Sequence, residues 1–333
     1  MKILIVGLVK NPQLDRLKQE AEKKGHQLEG CYSSDLIIKS SPQEFTPLLK
    51  DKDITSYDLI YLWAISKRRW EWYTTAHYLH QKHNTKILNQ KIIDPSYLYY
   101  LSPASDYLKQ TQNKLPFPKS AIVFNAKSVD SIIKNFSFPL IVKDSTGRQG
   151  KGVFKVNSII ELKTAILQNS QQDNTSSFVI REFIPNDGDI RIFTVGYKTI
   201  GAMKRTPKPN DFRSNISQGG SGENFDLSSH PKIKQIAEKL SQLTKTEIAG
   251  VDIMIHKQTK QPYILEINPG PNSLVLKNTP KLTLPKKSLN TSKISKLPLP
   301  ANHHFLDTPK QYLHNYSLSL HTMEPSPPHQ PHP

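Results

Sequence analysis

The chain has 333 residues, a formal charge of +17 and one cysteine, Cys31. That length suggests about two or three domains, the lone cysteine excludes an internal disulfide and fits a reducing compartment, and no apolar run reaches the length of a membrane-spanning helix. The excess charge would suit nucleic acid, a membrane surface or an anionic substrate, but the lysines are spread along the chain and the densest basic run is only Lys67-Arg68-Arg69, so a generally lysine-rich composition is expected, not nucleic-acid binding.

Lys2 to Gly7 is expected to be a first strand; it resembles a signal-peptide core but lacks a small-residue cleavage site. Gln13 to Lys24 follows as a charged helix ended by Gly25, then Tyr57–Trp63 as a strand, Trp70–Lys82 as a helix and Lys86–Asn89 as a short strand. This alternation predicts a small open α/β domain over residues 1–100 with a mostly parallel sheet. No Gly-x-Gly-x-x-Gly follows the first strand, which excludes the usual dinucleotide site. Further on come a helix over 105–113, a strand at 121–124, a helix near 128–135 and a strand at 138–143. That strand leads into Gly147, Gly150 and Gly152, and a helix capped by Ser158 comes next. An amphipathic helix is expected from Pro231 to Leu243. From 281 to 333 there is no glycine, and nine prolines and six of the twelve histidines appear, so a mostly disordered tail is expected; its histidine spacing matches no ligand set, and 312–320 reads as either a short helix or a docking strand.

The densest chemical signal lies late. Gly250–Ile255 and Pro262–Ile267 are apolar runs joined by a short polar turn, so they are expected to pair as a hairpin. Each carries one carboxylate, Asp252 and Glu266, and Asn268 lies two residues beyond the second. Residues two apart on a strand share a face, so Glu266 and Asn268 point together and Asp252 faces them from the neighbouring strand. Two carboxylates and an amide oxygen make a hard oxygen site suited to Mg²⁺, which commonly also takes substrate phosphates. Lys143 ends a buried strand, where an ammonium needs an anion, and the glycines after it let backbone N–H groups close over phosphates. Arg191, on an otherwise apolar strand, likewise calls for a counter-charge.

The order of these segments resembles the RimK-type carboxylate–amine ligases of the ATP-grasp superfamily over residues 1 to about 278. Five pieces carry the resemblance: Pro139–Gly152, Phe178–Ile184, Gly188–Gly196, Ala202–Gly220, and the set Asp252, Glu266 and Asn268. It implies an N-terminal α/β domain (1–100), a lid subdomain (101–182), a catalytic subdomain (183–280) and the tail (281–333), with α+β character in the ATP-grasp part. It also implies ATP-dependent ligation of a carboxylate to an amine through an acyl phosphate, with ATP and two Mg²⁺ ions (or Mn²⁺) as cofactors. Lys143, Gly147, Gly150 and Gly152 would meet the phosphates. Phe183 and Ile184 would read the adenine edge with Glu182 beside them, Asp189 would lie on the ribose side, and a phosphate or acyl group would supply the counter-charge of Arg191. Arg205 and Arg213 would orient the acyl substrate, Asn215 would join the phosphate and metal cluster, and Asp252, Glu266 and Asn268 would hold the metal.

Two departures stand out. Where the family commonly has Asp-Lys, this chain has Asp106-Tyr107, and Asn268 runs directly into Pro269-Gly270 without the usual small residue between. The first favours an alternative, a nucleotide-binding module without catalysis; the intact metal set argues against it. Small-molecule or peptide carboxylate and amine substrates are implied, in the cytoplasm, without membrane or nucleic acid, and a homo-oligomer is left open.

Overall fold

A computed structural model describes residues 1–65, 68–94, 103–145, 152–170, 177–209, 211–214 and 220–271. The chain divides into two units, Met1–Asn290 and Thr291–Pro333, and the second lies outside the described residues, as does the whole expected tail.

The N-terminal layer begins with β1 (Lys2–Val6), α1 (Pro12–Glu22) and β2 (Gln27–Cys31). Helix α1 starts where the Asn11 side chain accepts the Gln13 N–H at 2.8 Å and Pro12 fills the first turn. Strands β3 (Leu36–Ser40), β4 (Phe45–Leu49) and β5 (Lys52–Asp53) form a small antiparallel sheet. Next come β6 (Leu59–Leu62), α2 (Arg69–His83) and β7 (Lys86–Leu88). The main sheet is parallel, in the order β2-β1-β6-β7, and β6 is buried along its whole length, as an interior parallel strand should be. Neither β2 nor the small sheet is anticipated from sequence. β3 is mostly exposed, so it lacks the alternation of apolar and polar residues that marks a half-buried strand.

Cys31 ends β2 inside this core, and burial, with Asp35 and Glu29 nearby, pushes its thiol up to about 12. A thiol reagent at pH 8 is expected to label it only as fast as the layer opens; rapid stoichiometric labelling of folded protein would contradict this packing.

The second layer contains α3 (Pro103–Gln112), β8 (Ser120–Val123), α4 (Val129–Ile132), β9 (Leu140–Asp144), β10 (Val153–Val156), α5 (Ile159–Ser170) and β11 (Phe178–Glu182). The helix expected over 128–135 is the short α4 flanked by 3₁₀ turns. The sheet is antiparallel, in the order β10-β9-β11-β8, and Leu140, Val142, Phe178 and Ile180 pack on Leu162 and Ile166 of α5.

The third layer has β12 (Asp189–Val195), β13 (Lys198–Thr206), β14 (Ser221–Asn224), α6 (Pro231–Leu243), β15 (Ile248–Ile255) and β16 (Pro262–Asn268), with antiparallel order β14-β13-β12-β15-β16. Ile233, Ile236, Ala237 and Leu240 recur at helical spacing on α6 and cover one face of the sheet, formed by Ile190, Ile192, Ala202, Val251, Ile253, Ile264 and Ile267. Since strand side chains alternate, the opposite face receives Asp189, Arg191, Arg205, Asp252 and Glu266. A bulge in β16 adjusts this parity: Asp252 pairs with Glu266 but Ile253 pairs with Ile264, leaving Leu265 as the extra residue.

Candidate active site

The polar face of the third sheet carries a row of alternating charge. Asp189 and Arg205 are cross-strand partners on β12 and β13, Arg191 and Asp252 on β12 and β15, and Asp252 and Glu266 on β15 and β16. Arg191 grips Asp252 with Nε and Nη2, both at 2.7 Å. Arg205 donates Nε to Asp189 at 2.5 Å and places Nη2 2.8 Å from Asp252. Asp189 uses its other oxygen to accept the Ser214 hydroxyl at 2.5 Å. Gly250 makes room for this row, because a Cβ there would lie 2.9 Å from the Pro271 Cβ and 3.3 Å from the Arg191 Cδ.

Burial sets the electrostatics. Asp252 and Arg205 are only 2% and 4% exposed, so each needs the other and its further partners to offset desolvation. Burial and the facing Asp252 carboxylate push Asp189 up, against the pull of Arg205 and Ser214. Burial would lower Arg205, but Asp252 and Asp189 outweigh it and raise it. Glu266 is different: its side chain is 44% exposed at the open end of the row. Desolvation there opposes the charge, yet Lys143, the Asn268 amide, Arg191 and Arg181 hold its carboxyl down at about 2.

The second sheet faces this row across a cleft of about 650 Å³. Lys143 on β9 reaches over to Glu266, with Nζ 3.4 Å from Oε2. Arg181 on β11 donates to the carbonyl of Leu265, the bulge residue, at 3.4 Å. Glu182, Phe183 and Ile184 line the same cleft; Glu182 accepts the Lys119 N–H at 2.8 Å, and the Lys155 ammonium sits 3.9 Å from the centre of the Phe183 ring. Arg213 lines it as well, held by Asp211 at 3.0 Å, and that hydrogen bond draws the Asp211 carboxyl down to about 2. Gly152 takes a left-handed φ of 74° at the start of β10. Gly147, Gly150 and Asn215 lie outside the described residues. Tyr107 lines the cleft with its ring stacked on Phe117, and Lys91 supplies an ammonium 3.5 Å from the neighbouring Asp106. Arg181, Lys91 and Ser214 were not singled out by sequence, since a buried strand arginine, a surface-type lysine and a loop serine carry no motif by themselves.

Asp252, Glu266 and Asn268 converge: the Asn268 amide nitrogen is 3.1 Å from Glu266 Oε1 and 3.4 Å from Asp252 Oδ2. With the amide turned over, its oxygen occupies the same place. Among the described residues, Asp252 Oδ2 accepts from Arg191, Arg205 and Asn268, while Oδ1 accepts from Arg191 and keeps a lone pair. The donor set therefore fits a hard divalent cation. No group of three or more His, Cys, Asp and Glu side chains able to hold a metal occurs among the described residues. A cation here would complete its shell with oxygens from outside the set, as Mg²⁺ does with phosphates.

A family model for the RimK-like ATP-grasp domain matches residues 106–291, more than half of the chain. The chain belongs to this family. It is 32% identical over 157 residues to a probable alpha-L-glutamate ligase 2 of Hahella chejuensis, covering 46% of the chain and 50% of that protein. It is 27% identical over 284 residues to a probable alpha-L-glutamate ligase of Aeromonas salmonicida, covering 81% and 89%. The chain thus spans about half the length of the first of these curated relatives. Among solved structures, the RimK-like chain shares its fold with a RimK domain ATP-grasp protein of Sphaerobacter thermophilus (TM-score 0.60, 14% identity, 81% of this chain and 92% of that one). The macrocyclase MdnC of Microcystis aeruginosa, bound with the precursor peptide MdnA, is similar too (TM-score 0.57, 14% identity, 84% and 95%). The expected ATP-grasp fold is therefore present, with mixed α/β layers.

Proposed function

We propose that this RimK-like chain is an ATP-dependent ligase that joins a carboxylate to an amine through an acyl phosphate, releasing ADP and phosphate. What carries the proposal is the row Arg205–Asp189–Arg191–Asp252–Glu266 on one rigid sheet face, met by Lys143 from the opposing sheet across a cleft of nucleotide size. Lys143, Gly147, Gly150 and Gly152 hold the phosphates. Glu182, Phe183 and Ile184 border the adenine. Asp189 steadies Arg205, Arg191 steadies Asp252, and Arg205 and Arg213 present planar donors to the substrate carboxylate, while Asn215 is assigned to the phosphate and metal cluster. Asp252, Glu266 and Asn268 hold two Mg²⁺ ions, replaceable by Mn²⁺. When bound, the metal supplies neutralising charge to the phosphates. The chain needs no nucleophile of its own: the substrate amine attacks the acyl carbon, and as the C–N bond forms the bond from that carbon to the phosphate oxygen breaks and the departing phosphate takes the amine proton.

Similarity to proteins named glutamate ligases, and to ligase structures solved with precursor peptides, favours an amino acid or peptide as one substrate. No described helix is long and apolar enough to cross a membrane, and we place the reaction in the cytoplasm, where ATP is available.

Phosphate release measured against pools of amino acids and short peptides, with ATP and Mg²⁺, tests the proposal; one pool is expected to raise release well above the ATP-only rate. ATP with Mg²⁺ at about a hundred times its dissociation constant is expected to stabilise the fold by about 2.7 kcal/mol, a rise of roughly 5–10 °C in melting temperature. No shift at millimolar ATP would contradict nucleotide binding altogether. A second reading, a binding module without turnover, is favoured by Tyr107 at the position of the family's lysine and by the guanidinium groups already gripping Asp252. It predicts the thermal shift without any phosphate release.

A further inference from the structure

We propose that Tyr61 and Asn89 of the N-terminal layer are positioning residues: they hold Pro269 in place and so set the affinity of the Asp252–Glu266–Asn268 site for a divalent cation. This rests on the metal-dependent reading above.

Strand β16 stops at Asn268, which pairs with Gly250. Continuing the ladder would bring Gly270 opposite Ile248. That rung is taken by a side chain instead: Ile248 donates its N–H to Asn89 Oδ1 at 2.9 Å, and Asn89 Nδ2 donates to the Ile248 carbonyl at 3.3 Å. The Asn89 amide thus stands in for a strand backbone and ends the sheet there. The same Nδ2 donates to the Pro269 carbonyl at 3.0 Å, and the Tyr61 hydroxyl donates to that carbonyl at 2.5 Å. Both lone pairs of the carbonyl are then used, and the proline ring already limits φ. The residue following the metal-site asparagine retains little freedom. Gly270 comes next, and a Cβ there would lie 2.5 Å from the Trp63 carbonyl, so only glycine permits this approach.

The clamp is itself rigid. Asn89 is fully buried with a left-handed φ of 66°, a conformation asparagine tolerates. The loop after it is tied to the start of β15: the Gln90 N–H donates to Glu247 at 2.9 Å, and the Lys91 N–H to the Lys245 carbonyl at 3.2 Å. Tyr61 packs edge-on against Trp63, with ring centres 5.3 Å apart. Burial and the nearby Glu247 raise the Tyr61 phenol above its usual range, so it stays protonated and donates. The consequence is preorganisation: Asn268 is placed before a cation arrives, by residues that lie outside the Asp252–Glu266–Asn268 set.

The test is a Mn²⁺ titration of the full chain in the presence of ADP, with nucleotide affinity without metal measured alongside. Tyr61→Phe removes one oxygen and keeps the ring, and Asn89→Gly removes the amide while tolerating the backbone angle. Each is expected to raise the Mn²⁺ dissociation constant about three- to tenfold, to leave metal-free ADP affinity within about twofold, and to speed hydrogen exchange at the Gly270 N–H. Unchanged Mn²⁺ affinity in folded Tyr61→Phe protein overturns the proposal, even where its melting temperature falls; should Asn89→Gly not fold, Tyr61→Phe alone decides. If the unaltered chain binds Mn²⁺ with ADP but no acceptor raises phosphate release, the ligase reading fails while the positioning proposal stands on the titration. No nucleotide-dependent Mn²⁺ binding by the unaltered chain overturns both.

Discussion

Glu266→Gln is expected to lower nucleotide turnover by about a hundredfold or more, roughly 3 kcal/mol of transition-state stabilisation, while nucleotide binding without metal is largely kept. The substitution keeps the size of the side chain and its contact with the Asn268 amide, and removes the charge on which the proposed metal site depends. Judged only by the repulsion between two neighbouring carboxylates, the substitution should change the stability of the metal-free protein little, or even raise it. The geometry argues otherwise, because Lys143, Arg191 and Arg181 favour the ionised form. A folded-state carboxyl held below its unfolded value contributes stability above the unfolded value of about 4.3, lost as pH falls toward 2. Glu266→Gln should therefore be slightly less stable at neutral pH, by under about 1 kcal/mol given its exposure, and should show a flatter acid limb. Intact turnover together with a large fall in melting temperature would make Glu266 a structural residue and remove the proposed metal role. Steady-state phosphate release and pH-dependent thermal melts separate these outcomes.

Arg205→Met is expected to have the largest effect on stability, about 3–5 kcal/mol, or roughly 10 °C in melting temperature. Arg205 is buried between Asp189 and Asp252, and methionine of similar length would leave these two carboxylates facing one another without the guanidinium between them. Arg191 still holds Asp252, so the loss centres on Asp189, whose remaining side-chain partner among the described residues is the Ser214 hydroxyl. Asp189 is already pushed up by burial and by Asp252 in the intact protein. In the variant it should hold its proton to higher pH than the unfolded chain does. The native state then binds the extra proton in that window, so stability rises as pH falls through it and the deficit narrows toward mildly acidic pH. Denaturant titrations at neutral and mildly acidic pH would show this. A variant as stable as the unaltered protein at neutral pH would mean that the row of charges contributes little to the fold. On the proposed function, turnover should fall as well, since the planar donors aimed at the substrate carboxylate are gone.

Local pattern was enough for part of this protein. The alternation of apolar runs with helices announced the parallel N-terminal sheet, the helical spacing of Ile233, Ile236, Ala237 and Leu240 announced α6, and a two-residue period placed Asp252, Glu266 and Asn268 on one face of a hairpin. These are short-range features in which the side chain reports its own burial. The strands of the small sheet were not legible, because β3 is mostly exposed and carries no alternation. The extra residue Leu265 was not legible either: Tyr263-Ile264-Leu265-Glu266-Ile267 looks alike in any register, and only pairing against β15 decides which residue bulges and so turns Ile264 and Ile267 to the same core. The resemblance implied a ribose-side place for Asp189, and the apolar strand around Arg191 called for a counter-charge; what the folded chain adds is that Arg191 grips Asp252 and that both oxygens of Asp189 accept from Arg205 and Ser214. Those partners come from adjacent strands and loops whose register no local pattern encodes. The reach of Asn89 and Tyr61 to Pro269 joins residues 180 and 208 positions apart. Contacts of that range follow from how layers pack, which is why residue types could name the chemistry of the site while only the tertiary structure decided what holds each of its groups in place.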